Sequence, residues 1–226
     1  MRRDIVRTMI LTYHEGACVR AQVGDTTVVF SPVSKQSKNF RQTNFGADVA
    51  FISLNHPDMN GEDEASRGEK KAFVISGPGE YEVSAKGGSA SGGKESDAVR
   101  VAGFRTASRY GGEEKINTVY ALTLDGLSML YLGALNAALP PDVLEMDAPD
   151  ILFVPIGGNG VLGPAEAQKL AVALEAKIVI PILYDDKTLK QFLKEAGEEK
   201  VQPVDKFTVK LRDMVGKEGD VVVLSP

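Results

Sequence analysis

Phe51-Ile-Ser-Leu-Asn-His-Pro-Asp-Met-Asn-Gly61 decides how this chain is read. Phe51 to Leu54 is an apolar run broken only by Ser53, and Asn55, Pro57, Asn60 and Gly61 are turn formers. The stretch therefore predicts a buried strand that ends in a polar loop. The loop carries His56, one of two histidines in 226 residues, and Asp58 two positions later. An imidazole and a carboxylate at a strand end can work as an acid–base pair or offer two metal ligands. A structural pair fits the same pattern, with Asp58 accepting loop amide hydrogens and His56 packing at the strand end. Their neighbours Leu54 and Met59 are apolar.

Outward from that stretch, the composition is that of an ordinary soluble domain, with 43% hydrophobic and 25% charged residues. A formal charge of -5 and a pI near 5.2 speak against a nucleic-acid partner, since phosphate binding needs a dense basic patch. No apolar window approaches the roughly 20 residues that span a bilayer, so no membrane role is expected. The single cysteine, Cys18, excludes an intramolecular disulfide and points to the reducing cytoplasm. Residues 1–8 read as an extension before the first strand, and 9–226 as one domain.

Met9 to Tyr13, Cys18 to Val23 and Thr27 to Ser31 predict three short antiparallel strands, turning at Gly16 and Gly24-Asp25. Pro32 to Gly46 is a polar loop, with Lys35, Lys38 and Arg41, placed to cover a cleft. Ala72 to Ser76 is a strand. It runs into Gly77-Pro-Gly-Glu-Tyr-Glu82, a turn followed by a strand, with Glu80 and Tyr81 as candidates to face the cleft. Lys86 to Glu95 is glycine- and serine-rich and lacks the lysine and hydroxyl spacing of a phosphate loop. Val99 to Ala107 is a strand, and Ile116 to Leu124, Asp125-Gly126 and Leu127 to Leu132 form a hairpin with a tight primed turn.

From Pro140 helices and strands alternate. Helices are expected over Pro141 to Met146, from Pro164, and over Lys187 to Ala196, with Asp185 or Asp186 as cap; buried strands are expected at Asp150 to Pro155 and Lys177 to Pro181. Val201 to Val204, Phe207 to Leu211 and Val221 to Leu224 are strand-like pieces that finish the sheet.

In the order of these landmarks the chain resembles the metallo-β-lactamase superfamily, in particular a branch of small bacterial proteins that carry the Gly-Pro-Gly-Glu-Tyr-Glu string. That superfamily places His-x-His-x-Asp-His after the organising strand, to hold one or two zinc ions. Aligned through Ser53, this chain has Leu54, His56, Asp58 and Met59 there. Further on, Gly16 stands at an expected His, Ser31-Pro32 at an Asp-Pro, Tyr131-Leu-Gly-Ala134 at a His-x-Gly-Asp, and Leu183 at a last His. The fold implied is α/β, a four-layer αβ/βα sandwich of two mixed β-sheets flanked by helices. An antiparallel first half and an alternating second half agree with it.

A catalytic zinc needs at least three nitrogen, oxygen or thiolate ligands and an open position for water. Leucine and alanine offer none, and methionine offers a thioether suited to softer metals. The expectation is therefore a non-catalytic binding or assembly protein on a hydrolase scaffold, without a cofactor, and with a homo-oligomer as one form of assembly. An altered hydrolase would use His56 and Asp58, with zinc and with help from His14, Glu15, Glu80 or Asp185. A small-molecule binder would use the emptied cleft of Leu54, Met59, Tyr131 and Leu183. His14 alone reads as a solvated turn histidine, and Tyr131 as a packed aromatic.

Overall fold

The computed structural model describes residues 8–69, 71–84 and 98–226. Most of the amino-terminal extension and the glycine-rich stretch from Lys86 to Glu95 lie outside the described residues. Two β-sheets face each other. The first runs β12-β1-β2-β3-β4-β5, built from Phe207–Val209, Met9–Tyr13, Val19–Val23, Thr26–Phe30, Val49–Ile52 and Phe73–Ser76. The second runs β13-β11-β10-β9-β8-β7-β6, built from Asp220–Val221, Ile178–Ile182, Ile151–Pro155, Leu127–Tyr131, Lys115–Leu124, Ala98–Ser108 and Gly79–Ser84.

Both sheets are mixed. β1, β2 and β3 pair antiparallel, while β3–β4 and β4–β5 are parallel, with Phe30 opposite Phe51. In the second sheet β6 to β9 are antiparallel, and β9, β10 and β11 are parallel. Most expected strands are present, with ends shifted by a residue or two. The last two pieces are exceptions: Val221 to Leu224 shrinks to β13 at Asp220–Val221, and Val201 to Val204 contributes only the bridge Val204↔Leu224 beyond it.

Gly77-Pro78 does more than turn the chain. It carries it from the edge of one sheet, β5, to the edge of the other, β6, and the Tyr81 hydroxyl ties the crossing by donating to the Gly77 carbonyl at 3.0 Å. Between the sheets lies an aromatic stack. Phe30 sits 4.9 Å from Phe51 and 4.7 Å from Tyr131, ring centre to ring centre. Such offset contacts add about 0.5–1.5 kcal/mol each beyond the area they bury.

The helices α1 (Pro141–Leu144), α2 (Pro164–Ala173) and α3 (Asp186–Ala196) follow the second sheet's strands. Ala167 and Ala171 of α2 and Phe192 and Leu193 of α3 pack on its outer face with Leu152, Val154 and Val179. Among the described residues no α-helix covers the first sheet. Its outer face is closed instead by the loops after β3 and β4, through Val33, Ala47 and Ala65 against Cys18, Val29 and Ala50.

Candidate functional site

The site is built where β3, β4, β9 and β11 end. β4 gives out at Ile52 because Ser53 turns its carbonyl across to the second sheet, accepting from the Thr118 amide at 2.8 Å. The loop that follows is a tight coil. His56 O accepts from both Met59 N and Asn60 N at 2.8 Å, which turns Asp58 back toward the protein.

Asp58 is 1% exposed and its carboxylate is shared among three neutral donors. Ser37 Oγ donates to Oδ1 at 2.6 Å, Asn39 Nδ2 to Oδ2 at 2.7 Å, and the Tyr110 hydroxyl to Oδ2 at 2.7 Å. Burial alone would raise this carboxyl; the bonds from Ser37, Asn39 and Tyr110 outweigh it and hold it below the ordinary range. Through those bonds one carboxylate clamps the loop after β3 and the loop after β7 onto the loop after β4. In the loop Pro32 to Gly46 it is Ser37 and Asn39 that contact Asp58, while Lys35, Lys38 and Arg41 are exposed at the surface.

His56 lies beside the clamp. Its Nδ1 accepts the Asp58 amide hydrogen at 3.2 Å and is 3.6 Å from Oδ2, too far for a hydrogen bond of useful strength. Its ring meets Tyr110 edge to face at 5.1 Å. Desolvation depresses the imidazole pKa, Asp58 opposes that, and Lys115 adds to it.

The other positions singled out in the sequence are closed off from solvent. Leu54, Met59, Tyr131 and Ala134 are at most 1% exposed and Leu183 is 6% exposed, all of them in the inter-sheet core. The apolar cleft expected from Leu54, Met59, Tyr131 and Leu183 is thus packed shut. The Tyr131 hydroxyl donates to the Ala17 carbonyl at 2.7 Å, and burial pushes its pKa far up. The Ala134 amide donates to Asn117 Oδ1 at 2.9 Å, and Leu183 N to the Gly16 carbonyl at 2.7 Å. Ser31 and Ser53 share a hydrogen bond of 2.7 Å between their hydroxyls. Backbone strain collects at this edge: Ser31 and Leu183, closing β3 and β11, have φ of 45° and 51°, unusual for residues with a Cβ.

Gly16, at φ 59°, is roofed by Phe40, whose ring carbons lie 2.8 Å from where a Cβ would be, so a side chain there would have to displace the ring. Gly133 is pressed against Ser53 in the same way, at 2.6 Å. The remaining candidates lie elsewhere. His14 meets Phe45 with tilted rings at 4.6 Å and contacts Thr12 Oγ1 at 3.1 Å, and it lines a small depression with Glu15 and Arg41 rather than joining His56. Glu80 is exposed and lines a groove on the outer face of the second sheet, because in β6 it alternates with the inward Tyr81. Asp185 caps α3, accepting from the Thr188 amide at 2.8 Å. Neither is positioned to join His56 in a hydrolytic site.

Sequence reasoning missed Ser37, Asn39 and Tyr110, and also Asn117, a fully buried hub that donates to Leu132 O and Thr106 Oγ1 and accepts from Ala134 N.

Facing mixed sheets, helices packed outside the second, and a site where strands of both give out define the class. The chain belongs to the metallo-β-lactamase superfamily, and the model of the β-lactamase superfamily domain matches residues 10–183. Among its relatives is a UPF0173 metal-dependent hydrolase of Bacillus velezensis, 27% identical over 198 residues, covering 78% of this chain and 86% of that protein. The UPF0173 metal-dependent hydrolase YtkL of Bacillus subtilis is 26% identical over 198 residues, with the same coverage of 78% and 86%. A metallo-β-lactamase superfamily structure from Thermotoga maritima superposes with a TM-score of 0.67 at 26% identity, over 96% of this chain and 98% of that one. No helix among the described residues is long and apolar enough to cross a membrane.

Proposed function

We propose that this chain is a binding member of the superfamily that works without a catalytic metal. The observation carrying the reading is the state of Asp58. A general base or metal ligand presents a lone pair to water or metal, and here three of the carboxylate's roughly four lone-pair positions are taken by Ser37, Asn39 and Tyr110, in a side chain that is 1% exposed. The donor set around it is a poor match to zinc as well. Leu54, Met59, Ala134 and Leu183 bring no hard donor, Tyr131 is spent on Ala17, and Phe40 occupies the space over Gly16. Among the described residues, no three His, Cys, Asp or Glu side chains are grouped as a metal site. The buried, unpaired Cys18 supports a reducing cytoplasm as the compartment.

The test is elemental analysis of protein purified without chelator and dialysed against trace zinc and manganese. The doubly substituted His56→Ala, Asp58→Ala protein serves as control. Far less than one metal per chain in both proteins is expected; near-stoichiometric metal that disappears in the control would sink the reading. The relatives' own description as metal-dependent hydrolases favours a second reading, in which His56 and Asp58 hold a metal once the clamp opens. Turnover of a phosphodiester, lactone or thioester that vanishes in His56→Ala would establish it.

A further inference from the structure

Paired residues of neighbouring strands share a face of the sheet, so the register lays one row of side chains across the outside of the second sheet. Leu152 of β10 stands opposite Leu130 of β9, Leu130 opposite Ala121 of β8, Ala121 opposite Ala102 of β7, and Ala102 opposite Glu80 of β6. Leu152, Leu130 and Ala121 are buried in the layer shared with the helices. Toward β6 the row falls from leucines to alanines, and with only methyl groups standing there the sheet surface is low. A groove of about 620 Å³ lies over it. Ala102, Ala121 and Leu130 line the groove from the sheet; Val143, Met146 and Leu174 line it from α1, the loop that follows, and the end of α2.

The charged part of the lining is acidic. Glu80 and Asp147 are exposed, and neither has a hydrogen-bond or ion-pair partner among the described residues. Glu82 lies 3.9 Å from Arg100, the one cation among the described lining residues. Three carboxylates thus stand against one guanidinium. Exposed ion pairs contribute little in water, so these charges select the sign of a ligand while the apolar lining supplies most of the affinity. The volume suits a small molecule, for which sites run from roughly 300 to 1,000 Å³. An amphipathic helix of about ten residues, roughly 10 Å across and 15 Å long, would fill nearly twice that space.

We propose that this groove is a binding site for a small organic cation, with an apolar body lying on Ala102, Ala121 and Leu130 and an ammonium group at the acidic rim. None of its lining residues belongs to the mouth at His56, so the site stands whether or not that mouth holds a metal.

Met146 supplies the readout, because it lines the groove and is 44% exposed, while Met9 and Met214 lie in the core between the sheets. Protein labelled with carbon-13 in its methionine methyl groups is titrated with phenethylammonium chloride. Sodium 3-phenylpropionate, which has the same body with the opposite charge, and spermidine, which has the charge without the body, are titrated in parallel. Ionic strength is held constant with sodium chloride. The Met146 signal, assigned through Met146→Leu, is expected to move saturably with phenethylammonium, at a concentration at least fivefold lower than with 3-phenylpropionate. Spermidine should leave it in place, and the Met9 and Met214 signals should stay still throughout.

Two variants, at exposed or half-buried positions of the outer face, divide the contributions. Glu80→Gln combined with Asp147→Asn should weaken phenethylammonium binding about fivefold, the loss of two exposed ion contacts. Ala102→Phe, which stands a ring in the groove, should abolish the response, with unshifted Met9 and Met214 signals showing that the fold is kept. An unmoved Met146, an equal response to the anion or to spermidine, or binding unchanged in either variant would each overturn the site.

Discussion

Two buried aspartates, one at each end of β8, are held in opposite ways. Asp58, by the start of the strand, accepts only from neutral groups drawn from two distant loops. Asp150, by its far end, accepts from Lys177 Nζ at 2.7 Å and from the amide and hydroxyl of Ser128. The Asp150 cluster neutralises its charge and joins segments that are already neighbours in the sheet. The Asp58 clamp leaves the charge formally uncompensated and adds the loop after β7 to two loops that already meet through the Ser34 amide on the Pro57 carbonyl and the Gly61 amide on the Pro32 carbonyl. At this sheet edge the Asp58 carboxylate serves as a cross-link between loops.

The largest expected difference between the two lies in stability. Asp58→Ala strands the Ser37, Asn39 and Tyr110 donors and should cost about 3 kcal/mol, from typical penalties of 1–3 kcal/mol per buried unsatisfied group, partly relieved by water. Asp150→Ala should cost less, about 2 kcal/mol, because Lys177 is 39% exposed and can return to solvent. Urea unfolding of both variants checks the order, and equal losses would erase the distinction. Next comes Tyr110→Phe, expected at about 1 kcal/mol and strongly non-additive with Asp58→Ala. Additive losses would mean that the hydroxyl is not part of the clamp.

Acid probes both clusters at once. Each carboxyl is held below its ordinary value in the folded chain: Asp58 by its three donors against the cost of burial, and Asp150 by Lys177 and Ser128 against the same cost. As pH falls, the unfolded chain takes up these protons first, so their stabilisation is complete well above the unfolded value of about 4 and is lost below it, through the folded values. Stability against pH should therefore fall less steeply below pH 4 in either alanine variant than in the parent. Salt gives the smallest effect. Raising sodium chloride toward 1 M should shrink the Asp150→Ala difference by a few tenths of a kcal/mol through screening of Lys177, and leave the Tyr110→Phe difference unchanged.

How much of this was legible depends on the range of the forces involved. The strands were legible because alternation is local, as in Met9–Tyr13, where buried and half-buried residues alternate without exception. Asp185 was legible as a cap because its partner Thr188 is three residues away. The partners of Asp58 were not: Ser37 and Asn39 lie 21 and 19 residues before it, and Tyr110 lies 52 after it. No spacing rule reaches that far. The closing of the first sheet's outer face by loops was equally hidden, since Val33, Ala47 and Ala65 stand singly among polar neighbours.

The sequence by itself determined the strands, the order of the landmarks and the apolar character of Leu54, Met59, Ala134 and Leu183, because burial preference and strand period are written residue by residue; the two facing sheets came with the family that those landmarks resemble. Only the tertiary structure decided what surrounds His56 and Asp58. The groups that hold Asp58 are brought to it by loops that arrive from elsewhere in the chain. A buried carboxylate is stable only where donors reach it, and in this fold Ser37, Asn39 and Tyr110 meet Asp58 once both sheets are in place.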